Sequence, residues 1–240
     1  MSSPRWLAQL LDALSKVDQA PAFAFSTVDT DGEAPVPRVR HHLHRGVLTS
    51  NSARPLIITT TDIRSSKIHQ IRSHPNAKGP TGEVAWWLPA SGFQFRITVR
   101  SHILPSPSHE THSQFPTDIF SSSDEVNVGP DAPGDSAEWE RFRLKTFNSI
   151  PGFIRASFAR PTPGSPVLNP DEARKWPQEL PQSGEERTDQ ERKLVREALK
   201  NFAVLALEPV ELDVVEFGKP DRRTRWKIIG KEWKEQFVVP

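Results

Sequence analysis

Residues 83–104, EVAWWLPASGFQFRITVRSHIL, hold two apolar runs with only Ala90, Ser91 and Gly92 between them. A link of that length makes a hairpin, so the two runs are read as antiparallel neighbours. Further strand-like runs are AFAFSTVD from Ala22, VPRVRHHLHRGVL from Val36 and PLIITTT from Pro55. AVLALEPVELDVVEF from Ala203 reads as two strands interrupted by Pro209, and RTRWKIIG with WKEQFVVP as a closing hairpin. Helices are expected near residues 6–17, in TTDIRSSKIHQIRSHP with Arg64, Ser65, Ser66 and Lys67 in the first turn, and in EWERFRLKTFNSI and ERKLVREALKNF. Strands joined by short turns with helices outside them define an α+β fold, an antiparallel barrel or sheet with flanking helices.

Proline marks the boundaries. The 23 prolines are close to one residue in ten and concentrate in two stretches without apolar periodicity, at about 105–135 and 161–190. Both are read as surface excursions from a single domain spanning residues 1–240. No run approaches the ~20 apolar residues of a membrane span. The first residues show helical spacing at Trp6, Leu7, Leu10, Leu11, Leu14 and Val17 in place of a signal core, so a cytoplasmic protein without membrane partner is expected. With no cysteine, thiol nucleophiles, disulfides and thiolate metal sites are excluded, and redox chemistry needs a borrowed cofactor.

The 31 Lys and Arg nearly balance 30 Asp and Glu, which argues against nucleic acid as a partner. Local basic clusters remain: Arg38, Arg40 and Arg45; Arg64, Lys67 and Arg72; and Lys219 to Lys227. In TTDIRSSKIHQIR the cations crowd the first turn of a helix, where backbone partial charge disfavours them by about 0.3–1 kcal/mol. A bound phosphate reverses that sign, with Ser65, Ser66 and Lys67 converging on it. The alternative is a solvated surface. His42 and His44 share a strand face, but no third ligand stands at metal spacing, and no metal is expected.

The blocks PRVRHHLHRG, ITTTDIRSSKIHQIRSHP, EVAWWLPASGFQFRITV and RTRWKIIGKEWKEQFVVP, in this order, resemble the pyridoxamine 5'-phosphate oxidase-like FMN-binding split-barrel family. The paired tryptophans and the Thr-Asp-x-Arg-Ser-x-Lys helix start are similar to its oxidase-related FMN-binding branch. The resemblance implies a split β-barrel, FMN as cofactor, and a homodimer with the flavin site across the subunit interface. It places Arg40 and Arg45 on the FMN phosphate and flavin, and Ser65, Ser66 and Lys67 on the phosphate. Thr60 and Thr61 would lie along the isoalloxazine, Gln94 would reach the flavin from the other subunit, and Arg225 is the C-terminal arginine before an aromatic. In a regular strand Arg40 and Arg45 point apart, unless a bulge or the strand end before Gly46 turns one of them.

Departures from the family pattern narrow the activity. True pyridoxamine-phosphate oxidases hold the substrate phosphate with a tyrosine-containing helix signature and an Arg-x-His pair. This chain has no tyrosine, and PDRRTRW has no histidine. The resemblance implies an FMN-dependent oxidoreductase of unknown small-molecule substrate, with no side chain identified as catalytic; the alternative is a non-catalytic module binding FMN or another phosphorylated ligand.

Overall fold

The computed structural model describes residues 3–17, 21–49, 54–73, 79–117, 136–230 and 232–240. Its nine strands are β1 (Ala22–Asp29), β2 (Val36–Leu43), β3 (Gly46–Leu48), β4 (Leu56–Asp62), β5 (Gly82–Leu88), β6 (Phe93–Leu104), β7 (Phe202–Glu216), β8 (Arg222–Ile229) and β9 (Glu232–Val238). They form one antiparallel sheet in the order β2-β1-β5-β6-β7-β4-β3, with β8 on β7 and β9 on β8. The helices are α1 (Arg5–Ser15), α2 (Ser66–Arg72), α3 (Ser136–Ser149), α4 (Gly152–Ser157) and α5 (Asp189–Asn201).

The sheet curls until its two ends meet. No strand ladder closes the gap between β2 and β4: Thr59 Oγ1 donates to Leu43 O at 2.8 Å, and the Arg45 N–H donates to Ile58 O at 2.8 Å beside the β3–β4 pair. This is the split of the barrel. VPRVRHHLHRGVL, expected as one strand, breaks at His44–Arg45 into β2 and β3, and Gly46 follows at φ 140°, a conformation few residues but glycine adopt. Pro209 does not divide β7. It falls between Leu207, the last residue paired to β4, and Glu211, the first paired to β8, opposite a register shift at Thr98/Val99. A missing N–H interrupts neither ladder there.

Burial patterns follow from what covers each face. The barrel interior is filled by Phe23, Phe25, Val84, Trp86, Phe95, Ile97, Leu205 and Trp226, and Trp6 and Leu10 of α1 close it. On the opposite face of β4 and β7, Trp139, Phe147, Ile150, Val195 and Ala198 of the helical layer pack on Leu56, Ile58, Val204 and Ala206. Strands buried on both sides need continuous apolar sequence, which is why LIITTT and FAVLAL do not alternate. β1 and β5 alternate strictly because their outer face is uncovered. Of the two proline-rich excursions, residues 118–135 lie outside the described residues. The second is mostly exposed, with a 3-10 turn at Pro170–Lys175 and Leu180 anchored in the helical layer.

Candidate functional site

Arg40 leaves β2 on the face opposite Val39 and is seated by four acceptors. Its Nη1 donates to Thr27 Oγ1 at 2.6 Å and to the carbonyls of Phe25 and Arg38 at 3.3 and 3.0 Å; its Nη2 donates to Gln70 Oε1 at 3.0 Å. Gln70 Oε1 also accepts from Thr27 Oγ1 at 2.6 Å, so α2 and β1 together fix the guanidinium. Lys67 Nζ donates to Thr61 Oγ1 at 3.1 Å and Ser65 Oγ at 3.0 Å. Ser65 is held in turn by its hydroxyl on Asp62 O at 2.7 Å.

Neither charge is paired among the described residues, although the more distant Asp62 carboxylate partly offsets that of Lys67. Burial, then the nearby Arg40 cation, push Lys67 down to about 8, and burial alone lowers Arg40. Neither has a carboxylate within 4.0 Å among the described residues. Arg64, their neighbour in sequence, is different: it grips Asp62 with Nε on Oδ1 at 2.9 Å and Nη2 on Oδ2 at 2.7 Å, which raises its pKa. Buried His42 is pushed down to about 3 by burial, Lys67 and Arg40, and is therefore neutral. Thr59 Oγ1 spends its proton on Leu43 O, so His42 Nδ1 is the donor at 3.2 Å and Nε2 is a bare, buried acceptor.

The structure thus brings together Arg40, Thr61, Ser65 and Lys67. Thr60 alternates to the face of Ile58, on the helical-layer side, and Ser66 is exposed at the first position of α2. That seven-residue helix is too short for its dipole to decide anything; the side chains make the site. Arg45 lies beyond the strand break, with its Nε buried and unpartnered. Gln94 and Arg225 are on the outer face of the sheet, where Asp213 accepts from Arg96, Arg223 and Arg225 at 2.7–3.1 Å. Arg223 and Arg225 with Arg96, opposed by burial, hold that carboxyl at about 2. Thr27 and Gln70 carry no local signal in the sequence, because only tertiary pairing brings them to the site; His42, which the sequence places on one strand face with His44, is buried beside them.

Fold and cluster define a split-barrel protein with two desolvated cations at a strand–helix turn. Residues 3–105 match the family model described as pyridoxamine 5'-phosphate oxidase, FMN-binding domain. No curated protein matches the chain in sequence. In fold it is similar to a pyridoxamine 5'-phosphate oxidase-related, FMN-binding protein of Nostoc punctiforme, at 22% identity over 100% of both chains and a TM-score of 0.68. It is also similar to PhzG of Burkholderia lata, solved with tetrahydrophenazine-1-carboxylic acid, at 16% identity over 98% of this chain and 89% of that one, TM-score 0.59. FMN is the cofactor of that family, and two desolvated cations without an ion-pair partner among the described residues fit its phosphate.

Proposed function

We propose that this protein is an FMN-dependent oxidoreductase acting on a small molecule, working as a homodimer in the cytoplasm, with residues 1–240 forming one domain. The observation that carries the reading is the Lys67–Arg40 pair, desolvated and lacking an anion. Arg40, Thr61, Ser65 and Lys67 would hold the FMN phosphate, with Arg45 and Ser66 alongside. Bound FMN supplies the redox chemistry. The chain's residues bind and orient it, and Thr27 and Gln70 keep the Arg40 fork aimed.

The second copy is supported by the uncovered outer face of β2, β1 and β5. Val39 is 70% exposed there, Leu43 40% and Trp87 50%, around the paired Ala24 and Ala85. Gln94 and Arg225 share this face through the cross-strand series Ala24, Ala85, Arg96, Asp213, Arg225. Docking two copies on it would let one subunit's Gln94 and Arg225 complete the other's flavin site.

Titration with FMN and with riboflavin tests the phosphate-centred site. FMN is expected to bind at least tenfold more tightly, and equal affinity refutes the reading. Bleaching of the bound flavin by a small-molecule substrate without added reductant separates an oxidoreductase from a non-catalytic FMN module.

A further inference from the structure

Arg64 does more than neutralise Asp62. Beyond its two bonds to that carboxylate, Nη2 donates to Arg160 O at 3.1 Å and Phe158 O at 3.4 Å, the carbonyls that end α4. Phe158 O also accepts from Asn201 Nδ2 at 2.8 Å, and Asn201 O accepts the Ile63 N–H at 2.8 Å. The end of α4, the end of α5 and the turn after β4 therefore meet at one polar knot in which Asn201 is 4% exposed and the Asp62 side chain 8%. From the same turn, Asp62 O accepts both the N–H and the hydroxyl of Ser65, whose Oγ touches Lys67 Nζ.

Helices α3, α4 and α5 lie in residues 136–201, beyond the segment that matches the family model. We propose that Arg64 is a positioning residue that latches this helical layer onto the turn presenting Ser65 and Lys67, so that docking of the layer and affinity for the FMN phosphate are coupled. The inference builds on the phosphate reading above. An isolated Asp-Arg pair two residues apart would be a surface contact of little consequence. Here both partners are largely buried and the guanidinium spans to a second element. By linkage, what the latch does for the phosphate, the phosphate does for the latch.

The test measures FMN and riboflavin affinities by flavin fluorescence for the parent, Arg64→Met and Arg64→Lys. Hydrogen exchange at residues 158–160 and 201 is followed with and without FMN. Arg64→Met is expected to lose about tenfold in FMN affinity with riboflavin binding unchanged, and to lose FMN-induced protection at those amides. Arg64→Lys, which keeps charge on Asp62 but not the fork, is expected to fall between. A general structural defect would weaken both flavins alike and leave their ratio intact; that outcome, or a ratio within twofold of the parent in both variants, overturns the proposal. If Arg64→Met does not fold, the ratio for Arg64→Lys decides. A parent without FMN preference refutes the phosphate site itself, a result distinct from an unchanged ratio in a parent that has one.

Discussion

Lys67→Met should make the FMN-free protein more stable and a worse FMN binder. The lysine titrates at about 8 in the folded protein against an ordinary 10.5. At 1.36 kcal/mol per pH unit that gap corresponds to about 3 kcal/mol. The folded state binds this proton less tightly than the unfolded chain does. The full penalty therefore stands below about pH 8, and the stability of the FMN-free protein rises as pH climbs from about 8 to 10.5. Methionine removes the charge at similar length and forfeits two bonds to hydroxyls; Ser65 and Thr61 each retain a contact to Asp62 O. Allowing about 1 kcal/mol for those bonds leaves a net gain of about 2 kcal/mol at pH 7, a rise in Tm of about 4–8 °C for a chain of this length. FMN affinity should move the other way, by about ten- to a hundredfold for one charge-assisted contact. In the parent, FMN affinity should also fall above about pH 8, because binding must then recruit a proton to Lys67. Thermal unfolding with and without FMN, combined with fluorescence titration, reads both effects. A Lys67→Met protein that is less stable without FMN, or that binds FMN within twofold of the parent, would show that the ammonium serves the fold and no anion.

Glu208, buried among Arg54, Arg100 and His102, resists ionisation by burial, yet His102 and Arg54 outweigh this and hold it at about 2. Its contribution, about 3 kcal/mol, is present above pH ~4.5 and lost as pH falls toward 2, so urea midpoints of Glu208→Gln should show a flattened acid limb where parallel curves would refute the assignment. Val39→Glu, on the uncovered face of β2, should shift the sedimentation of the protein from dimer to monomer with its secondary structure intact; an unchanged sedimentation coefficient would remove that face as the interface. Loaded with FMN, the protein should not oxidise pyridoxamine 5'-phosphate under air at micromolar substrate. There is no tyrosine, and the buried arginines of the helical layer are committed: Arg143 to Glu140 and the carbonyls of Leu199 and Phe202, Arg155 to those of Asn148, Ile150 and Leu180. Peroxide formation would show a phosphate cage built elsewhere.

Strand positions were legible in the sequence because apolar runs and turn lengths are local. The β5–β6 hairpin and the closing β8–β9 pair follow from them directly. The division of β2 from β3 was not, since Val47 and Leu48 continue the apolar pattern across a break that only Gly46's backbone declares. Continuity of β7 through Pro209 was equally hidden, because it depends on which neighbour lies beside each half of the strand. At the site, the Lys67 contacts are local and could be anticipated. Arg40's seat on Thr27 and Gln70 is made by three separated segments, and Arg64, grouped by sequence with the site's cations, is withdrawn from them by Asp62 two residues earlier.

Leu104 and Val204 are partners on the same rung of the β6–β7 ladder. The chain therefore leaves the sheet after Leu104 and re-enters it at Phe202 beside its point of departure, as a handle attached to a cup. Doubling or halving such a closed loop changes its closure entropy by only about 0.6 kcal/mol, so the barrel is nearly indifferent to how long the handle is. A lineage could lengthen or shorten its exposed turns without disturbing one strand register; what it could not discard is the apolar underside, Trp139, Phe147, Ile150, Val195 and Ala198, that keeps Leu56, Ile58, Val204 and Ala206 from water, and the stretch around Phe158 and Asn201 where the handle is fastened to the rim.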